Sequence, residues 1–331
     1  MAQRRGGTSF VRFAAESARH HQPIEHMDAR RKVELFLERP LRPGRAGATR
    51  KGTLVIIGGH EDRSGDKTIL RAVADRLGDD GKIVVCTVAS AEPDSLWEEY
   101  ESAFRSLGVP HVFRLDVESR ESASSPRAMR ILEGATGVFF TGGDQLKITS
   151  QIGDTPIYSR IQEIFEEGGV VAGTSAGASA MSETMLVANN GEASYRIKSS
   201  LLMAPGLALA QDMLIDQHFA ERGRMARLIG AVTQNPRVLG VGIDEDTAII
   251  VAQQRSFRVL GAGAVYVVDG STTTYSNIAE EDSDRTLSSF GITVHMLSQG
   301  DEFDLSTRTP SAHPADSMEE TEEKERGTGT E

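Results

Sequence analysis

Cysteine is almost absent from this chain: Cys86 is the only one among 331 residues. One thiol can neither close an intrachain disulfide nor build a thiolate zinc site, so a secreted disulfide scaffold and a zinc ribbon are excluded and a reducing compartment is expected. Long apolar runs are missing as well. Stretches such as Thr53 to Ile57 fall far short of the roughly 20 residues that a membrane-spanning helix needs. No apolar run follows Arg4 and Arg5, so no secretory or twin-arginine signal is expected and the cytoplasm is the expected location. The histidines lack metal-ligand spacing, the acidic runs lack a calcium-loop pattern, and Gly58-Gly59-His60 lacks the full dinucleotide fingerprint. The expectation is a protein that works without metal or cofactor.

Charge is distributed unevenly within a net of -12. Residues 1 to 51 hold twelve Arg or Lys against five acids, and residues 301 to 331 hold ten acids against three bases. Neither end can bury enough apolar area to offset the entropy of ordering. The pattern therefore predicts a basic flexible extension over 1–50, one domain over 51–305, and an acidic disordered tail over 306–331. A solvated arm accounts for the basic segment, so neither nucleic acid nor membrane is expected as a partner.

Within the domain, β-branched runs alternate with amphipathic stretches: Thr53 to Ile57, Lys67 to Leu77, Ile83 to Val88, Ser95 to Leu107, His111 to Asp116. These read as βαβ units. The pattern continues through Gly137 to Thr141, Ile157 to Glu167 and Val170 to Ala172, which predicts an α/β fold: a mostly parallel sheet with helices on both faces and ligands at its C-terminal edge. From Val238 the strands are closely spaced with glycine at the turns, so antiparallel additions are expected toward the C-terminus.

The segment Gly173-Thr174-Ser175-Ala176-Gly177 follows an apolar strand and precedes a small-residue helix. A nucleophile on a sharp strand-to-helix turn needs small neighbours that leave its hydroxyl accessible, and G-x-S-x-G supplies them around Ser175. The backbone N–H of Ala176 is one natural oxyanion donor, and the second could come from Gly142-Gly143, with Gly143 as the candidate. A serine needs a base. His218 stands in Asp216-Gln217-His218-Phe219 before a helix expected over Ala220 to Thr233, with Arg222, Arg224 and Arg227 following, a polar cluster that packing does not explain. Downstream, Asp244-Glu245-Asp246 ends an apolar strand and could supply an acid to orient the base.

Taken with Gly58-Gly59-His60-Glu61-Asp62-Arg63 and Phe140-Thr141-Gly142-Gly143-Asp144-Gln145, these segments form five ordered motifs over roughly residues 52 to 300, and in them the chain resembles the cyanophycinase family. That family is a group of serine peptidases shared with aspartyl dipeptidase, with a fold similar to the class I glutamine amidotransferases (flavodoxin-like). The resemblance implies a triad of Ser175, His218 and Glu245, a homodimer, and release of β-Asp-Arg dipeptides from cyanophycin, multi-L-arginyl-poly-L-aspartate. Such a ligand carries guanidinium and carboxylate groups, and Gln145, Asp216, Gln217, Arg222, Arg224 and Arg227 are the candidate substrate-binding residues. Asp144 and Glu61 could instead hold loops together.

Other readings remain at this point. An aspartyl or isoaspartyl dipeptidase would take its acid from Glu183 or Glu192, between the serine and the histidine. An α/β-hydrolase would pair Ser175 with Asp244 or Asp246 and His295. A non-catalytic amidotransferase-like domain would leave only Cys86, in mid-strand, as a nucleophile. The polar segment Ala188 to Leu202 is expected to be a specificity loop.

Overall fold

The computed structural model describes residues 51–187, 201–280 and 285–313. The basic extension, most of the expected specificity loop and most of the acidic tail lie outside the described residues.

Five short apolar segments build the parallel half of the main sheet: β1 (Thr53–Ile57), β2 (Lys82–Cys86), β3 (His111–Leu115), β4 (Gly137–Phe140) and β5 (Val170–Thr174). They lie in the order β1-β5-β4-β2-β3, with helices Thr68–Ala74, Pro93–Ser106, Pro126–Leu132 and Pro156–Glu166 among the crossovers. Every residue of β4 and β5 is buried, so both faces of the sheet's centre are covered, as the continuous apolar runs predict. A hairpin of β6 (Thr184–Val187) and β7 (Leu202–Pro205) follows, then β8 (Met213–Gln217) and β9 (Leu239–Ile243), and then β10 (Thr247–Ala252), β11 (Ser256–Gly261) and β12 (Val265–Asp269). A short ladder of β13 (Tyr275–Ser276) and β14 (Ser289–Phe290) precedes β15 (Thr293–Leu297), β16 (Glu302–Asp304) and β17 (Thr309–Ser311).

The closely spaced C-terminal strands divide between two sheets instead of extending one. β10, β11, β16 and β17 add antiparallel to β1 and complete a nine-stranded sheet, while β8, β9, β12 and β15 form a second, four-stranded sheet in which β8 and β9 run parallel. The chain changes sheets at the acidic turn between β9 and β10, where Asp246 takes a φ of 46°, and returns after Gly261 at φ 125°. That crossing places Glu245 between the sheets.

Two boundaries differ from the sequence pattern. The helix expected from Ala220 begins only at Met225. Gly223 at φ 60° and an N–H of Arg224 turned back to the Phe219 carbonyl at 3.1 Å hold a turn there. The domain also continues past residue 305. Asp304 caps the backbone N–H groups of Ser306 and Thr307 at 2.9 Å each, Arg308 pairs with Asp269 at 2.5 Å, and β17 joins the sheet edge, so local hydrogen bonding orders a polar segment that has little to bury.

Candidate active site

The site lies where two pairs of parallel strands end. Ile57 of β1 is in register with Thr174 of β5, and Gln217 of β8 with Ile243 of β9. Their next residues supply the loop Gly58-Gly59-His60, the turn at Ser175, His218, and the acidic turn with Glu245. The glycine loop joins these pieces. Gly58 O accepts from the N–H of His218 at 2.9 Å, Gly59 O from Asp246 at 2.8 Å, and Ile57 O from Ser175 at 3.1 Å. A Cβ on Gly59 would overlap the His218 ring, which explains the glycine without any nucleotide phosphate.

Ser175 occupies the turn between β5 and helix Ala176–Ala180 at φ 52°, ψ -111°, a strained conformation for a residue with a side chain. Small residues make it possible: a Cβ on Gly173 would stand 2.6 Å from the Gly177 backbone, and one on Gly177 would lie 2.4 Å from the Phe140 carbonyl oxygen. Gly142 and Gly143 line the cleft, while Ala176 lies under it at 2% exposure. As the first helical residue, Ala176 has an N–H without an intrahelical acceptor.

Ser175 Oγ lies 2.8 Å from His218 Nε2, and His218 Nδ1 lies 2.6 Å from Glu245 Oε1. A carboxylate can only accept, so Nδ1 carries the proton and Nε2 is left with the lone pair facing the hydroxyl. Burial holds His218 below its ordinary pKa, helped by repulsion from Arg222 and His60 and opposed by its bond to Glu245. Partial burial would raise the Glu245 carboxyl, but hydrogen bonds from His218 and His60 outweigh it and keep the group below its usual range. Of the three consecutive acids only Glu245 faces the histidine. Asp244 accepts from the N–H groups of Ala220 and Ala264 at 2.9 and 3.1 Å, and Asp246 from Asp62 at 3.1 Å.

The competing assignments place their residues elsewhere. His295 sits in β15 opposite Val267 and packs on Phe303 with ring centroids 5.8 Å apart. Cys86 is fully buried and its thiol is pushed up to about 12, so it is no nucleophile. Glu183 lies 3.7 Å from Arg237, and Glu192 is outside the described residues.

The candidate substrate residues separate into two groups. Gln145, Gln217, Arg222 and Arg224 line an open cleft of about 840 Å³ together with Ser175 and His218. Asp216 and Arg227 do not, which corrects their assignment. Asp216 is 0% exposed and accepts from both Arg224 and Arg227, so it anchors from below the Arg224 that lines the cleft. Burial lowers the Arg224 guanidinium to about 10, still charged at neutral pH. Gln145 Nε2 donates to the Leu186 carbonyl at 2.6 Å, and Asp144 caps Leu146 N at 2.9 Å.

Sequence reasoning missed the part that His60 plays in the site. His60 Nδ1 lies 2.7 Å from the second Glu245 oxygen, so one carboxylate bridges two imidazoles. The spacing of the histidines gave no metal cluster, yet folding brings ligating atoms of His60, His218 and Glu245 within 4.8 Å of one another. Glu61, 3% exposed, accepts from Tyr100 OH at 2.5 Å and from Thr174 Oγ1 at 2.6 Å, and so fixes the residue before Ser175. The motif Gly58-Gly59-His60-Glu61 was the signal, but a role for the His60 side chain needs distances that spacing does not give.

A strained serine at a strand-to-helix turn, hydrogen-bonded to a histidine that a carboxylate orients, is the arrangement that hydrolases with a serine nucleophile use. Residues 54–259 match the model of peptidase family S51, and the chain belongs to that family of serine peptidases. It is 39% identical over 259 residues to a cyanophycinase of Synechococcus elongatus, covering 78% of this chain and 80% of that protein. A cyanophycinase of Trichormus variabilis is 38% identical over 267 residues, 80% of this chain and 89% of that one. Among solved structures, a peptidase from an acI-B1 Actinobacterium shares the fold at a TM-score of 0.59 and 20% identity, over 78% of this chain and 98% of its own. Among the described residues, no helix is long and apolar enough to cross a membrane.

Proposed function

We propose that the protein is a serine-type exopeptidase that hydrolyses cyanophycin to β-Asp-Arg dipeptides. The observation that carries this reading is the hydrogen-bonded line from Ser175 through His218 to Glu245, at the cleft of a chain 39% identical to a cyanophycinase. His218 Nε2 takes the Oγ proton as Ser175 attacks the scissile carbonyl. Glu245 stabilises the imidazolium, and the N–H groups of Ala176 and Gly143 receive the oxyanion. The protonated His218 then hands its proton to the leaving amine, and water, activated by the same nitrogen, releases the acyl group. The cleft lining mixes carboxylates of Glu92, Glu99 and Asp144 with the guanidinium groups of Arg63, Arg222 and Arg224, which suits a ligand carrying both signs of charge. Arg222, exposed, and Arg224 face substrate carboxylates, with Gln145 and Gln217 on its polar atoms. The same reading carries a homodimer in the cytoplasm, tested by light scattering and cell fractionation.

The deciding experiment is release of β-Asp-Arg from purified cyanophycin, beside a Ser175→Ala control and a panel of aspartyl dipeptides. Release that falls by about 10³-fold or more in the control is the expected result. Cleavage of dipeptides with an intact polymer would replace the substrate assignment by a dipeptidase; unchanged turnover in Ser175→Ala would remove the nucleophile.

A further inference from the structure

We propose that His60, His218 and Glu245 form an inhibitory binding site for a divalent transition metal such as Zn2+. The two Nδ1 atoms face the two oxygens of one carboxylate at 2.7 and 2.6 Å, and the ligating atoms of the three residues lie within 4.8 Å of one another. Two imidazoles and a carboxylate are a donor set that zinc accepts, with bonds of about 2.0 to 2.2 Å and neighbouring ligand atoms about 3.3 Å apart. The two N–O pairs stand at hydrogen-bond distance and must open to that separation to admit the ion. The remaining gap closes by a swing of His60, whose side chain is 68% exposed, and the open cleft leaves a fourth position to solvent.

Coordination and proton transfer compete for the same ring. In the metal-free site His218 Nδ1 bears a proton toward the carboxylate. A metal takes the Nδ1 lone pair, so the neutral His218 ring carries its single proton on Nε2 instead, and that ring loses no proton. His218 Nε2–H then donates to Ser175 Oγ, and the base that would accept the hydroxyl proton is gone. Mg2+ and Ca2+, which prefer oxygen ligands, do not compete for this donor set.

The inhibitory effect rests on reading Ser175 and His218 as nucleophile and base; the binding itself does not. The test therefore uses two measurements on the full chain. Calorimetric titration of Ser175→Ala with Zn2+ is expected to give micromolar binding, weakened at least tenfold by adding His60→Asn, a residue that tolerates the φ of 50° at this position. Hydrolysis by the unsubstituted enzyme is expected to be blocked by micromolar Zn2+, restored by EDTA and indifferent to Mg2+. His60→Asn should need at least tenfold more zinc, relative to its own metal-free rate. Equal zinc affinity with and without His60, or no binding, overturns the site, and His60-dependent binding that leaves hydrolysis intact overturns its inhibitory role. If cyanophycin is not cleaved at all, the function proposed above fails while the calorimetry still decides the site.

Discussion

Glu245 serves two histidines with one carboxylate: Oε1 accepts from His218 Nδ1 at 2.6 Å and Oε2 lies 2.7 Å from His60 Nδ1. An amide cannot do this, because its NH2 would meet the proton of one of the two rings. Glu245→Gln should therefore lose the tautomer that leaves His218 Nε2 free, and kcat should fall by about 10³- to 10⁴-fold with a smaller change in KM. Steady-state kinetics on the polymer check this. A loss below tenfold would exclude Glu245 as the orienting acid.

The depressed titration of His218 fixes the sign of the pH dependence. Burial is its main cause, with Arg222 and His60 adding repulsion against the Glu245 hydrogen bond. A base with a lowered pKa stays neutral, and able to accept a proton, further into acid. The acid limb of kcat/KM should therefore have its midpoint below the ordinary 6.5. Arg222→Ala removes one repulsive charge and should move that midpoint to higher pH. A downward shift would contradict His218 as the titrating group.

The two arginine roles separate by stability. Asp216 is wholly buried between Arg224 and Arg227, so Asp216→Ala leaves buried guanidinium charge uncompensated. The expected cost is about 3 to 5 kcal/mol, a fall of roughly 6 to 20 °C in Tm by calorimetry. Exposed Arg222→Ala should leave Tm within about 2 °C and act on KM instead. Equal destabilisation by both would mean that the ion pairs contribute little.

Cys86→Ala tests the remaining nucleophile. The thiol is fully buried and held protonated, up to about 12, chiefly by burial. The substitution should lower stability by about 1 to 2 kcal/mol through the lost packing and leave kcat within about twofold. Loss of turnover at unchanged stability would reopen a cysteine mechanism.

How much of this was legible before folding differs by element. The parallel strands announce themselves as apolar runs because β4 and β5 are buried on both faces. The turn at Ser175 was legible because its strained conformation restricts its neighbours to small residues. The split into two sheets was not, since β9 and β10 are separated only by the three acids and nothing local says that the chain leaves one sheet there. Asp216 and Arg227 failed as substrate contacts for a related reason: alternation along β8 does not reveal that the Asp216 carboxylate is already paired with two guanidinium groups. His60 escaped because its partner is 185 residues away and is reached only through the glycine loop.

That loop supports the sharpest separation of strain from function. Gly59 has φ 109°, and a Cβ there would overlap the His218 ring. Gly78 has a comparable φ of 82° but nothing within 4 Å of its added Cβ. Alanine at either position carries backbone strain of about 1 to 3 kcal/mol, so Tm should fall in both variants, and further in Gly59→Ala, where the ring must also move. Only Gly59→Ala displaces the imidazole. A shift of about 1 Å breaks the 2.8 Å approach of His218 Nε2 to Ser175 Oγ, and kcat should drop by about 10²-fold, while Gly78→Ala stays within about twofold of the parent. Matched losses of activity in the two variants would mean that strain alone governs turnover, and that the close packing of Gly59 on the ring does not position the base.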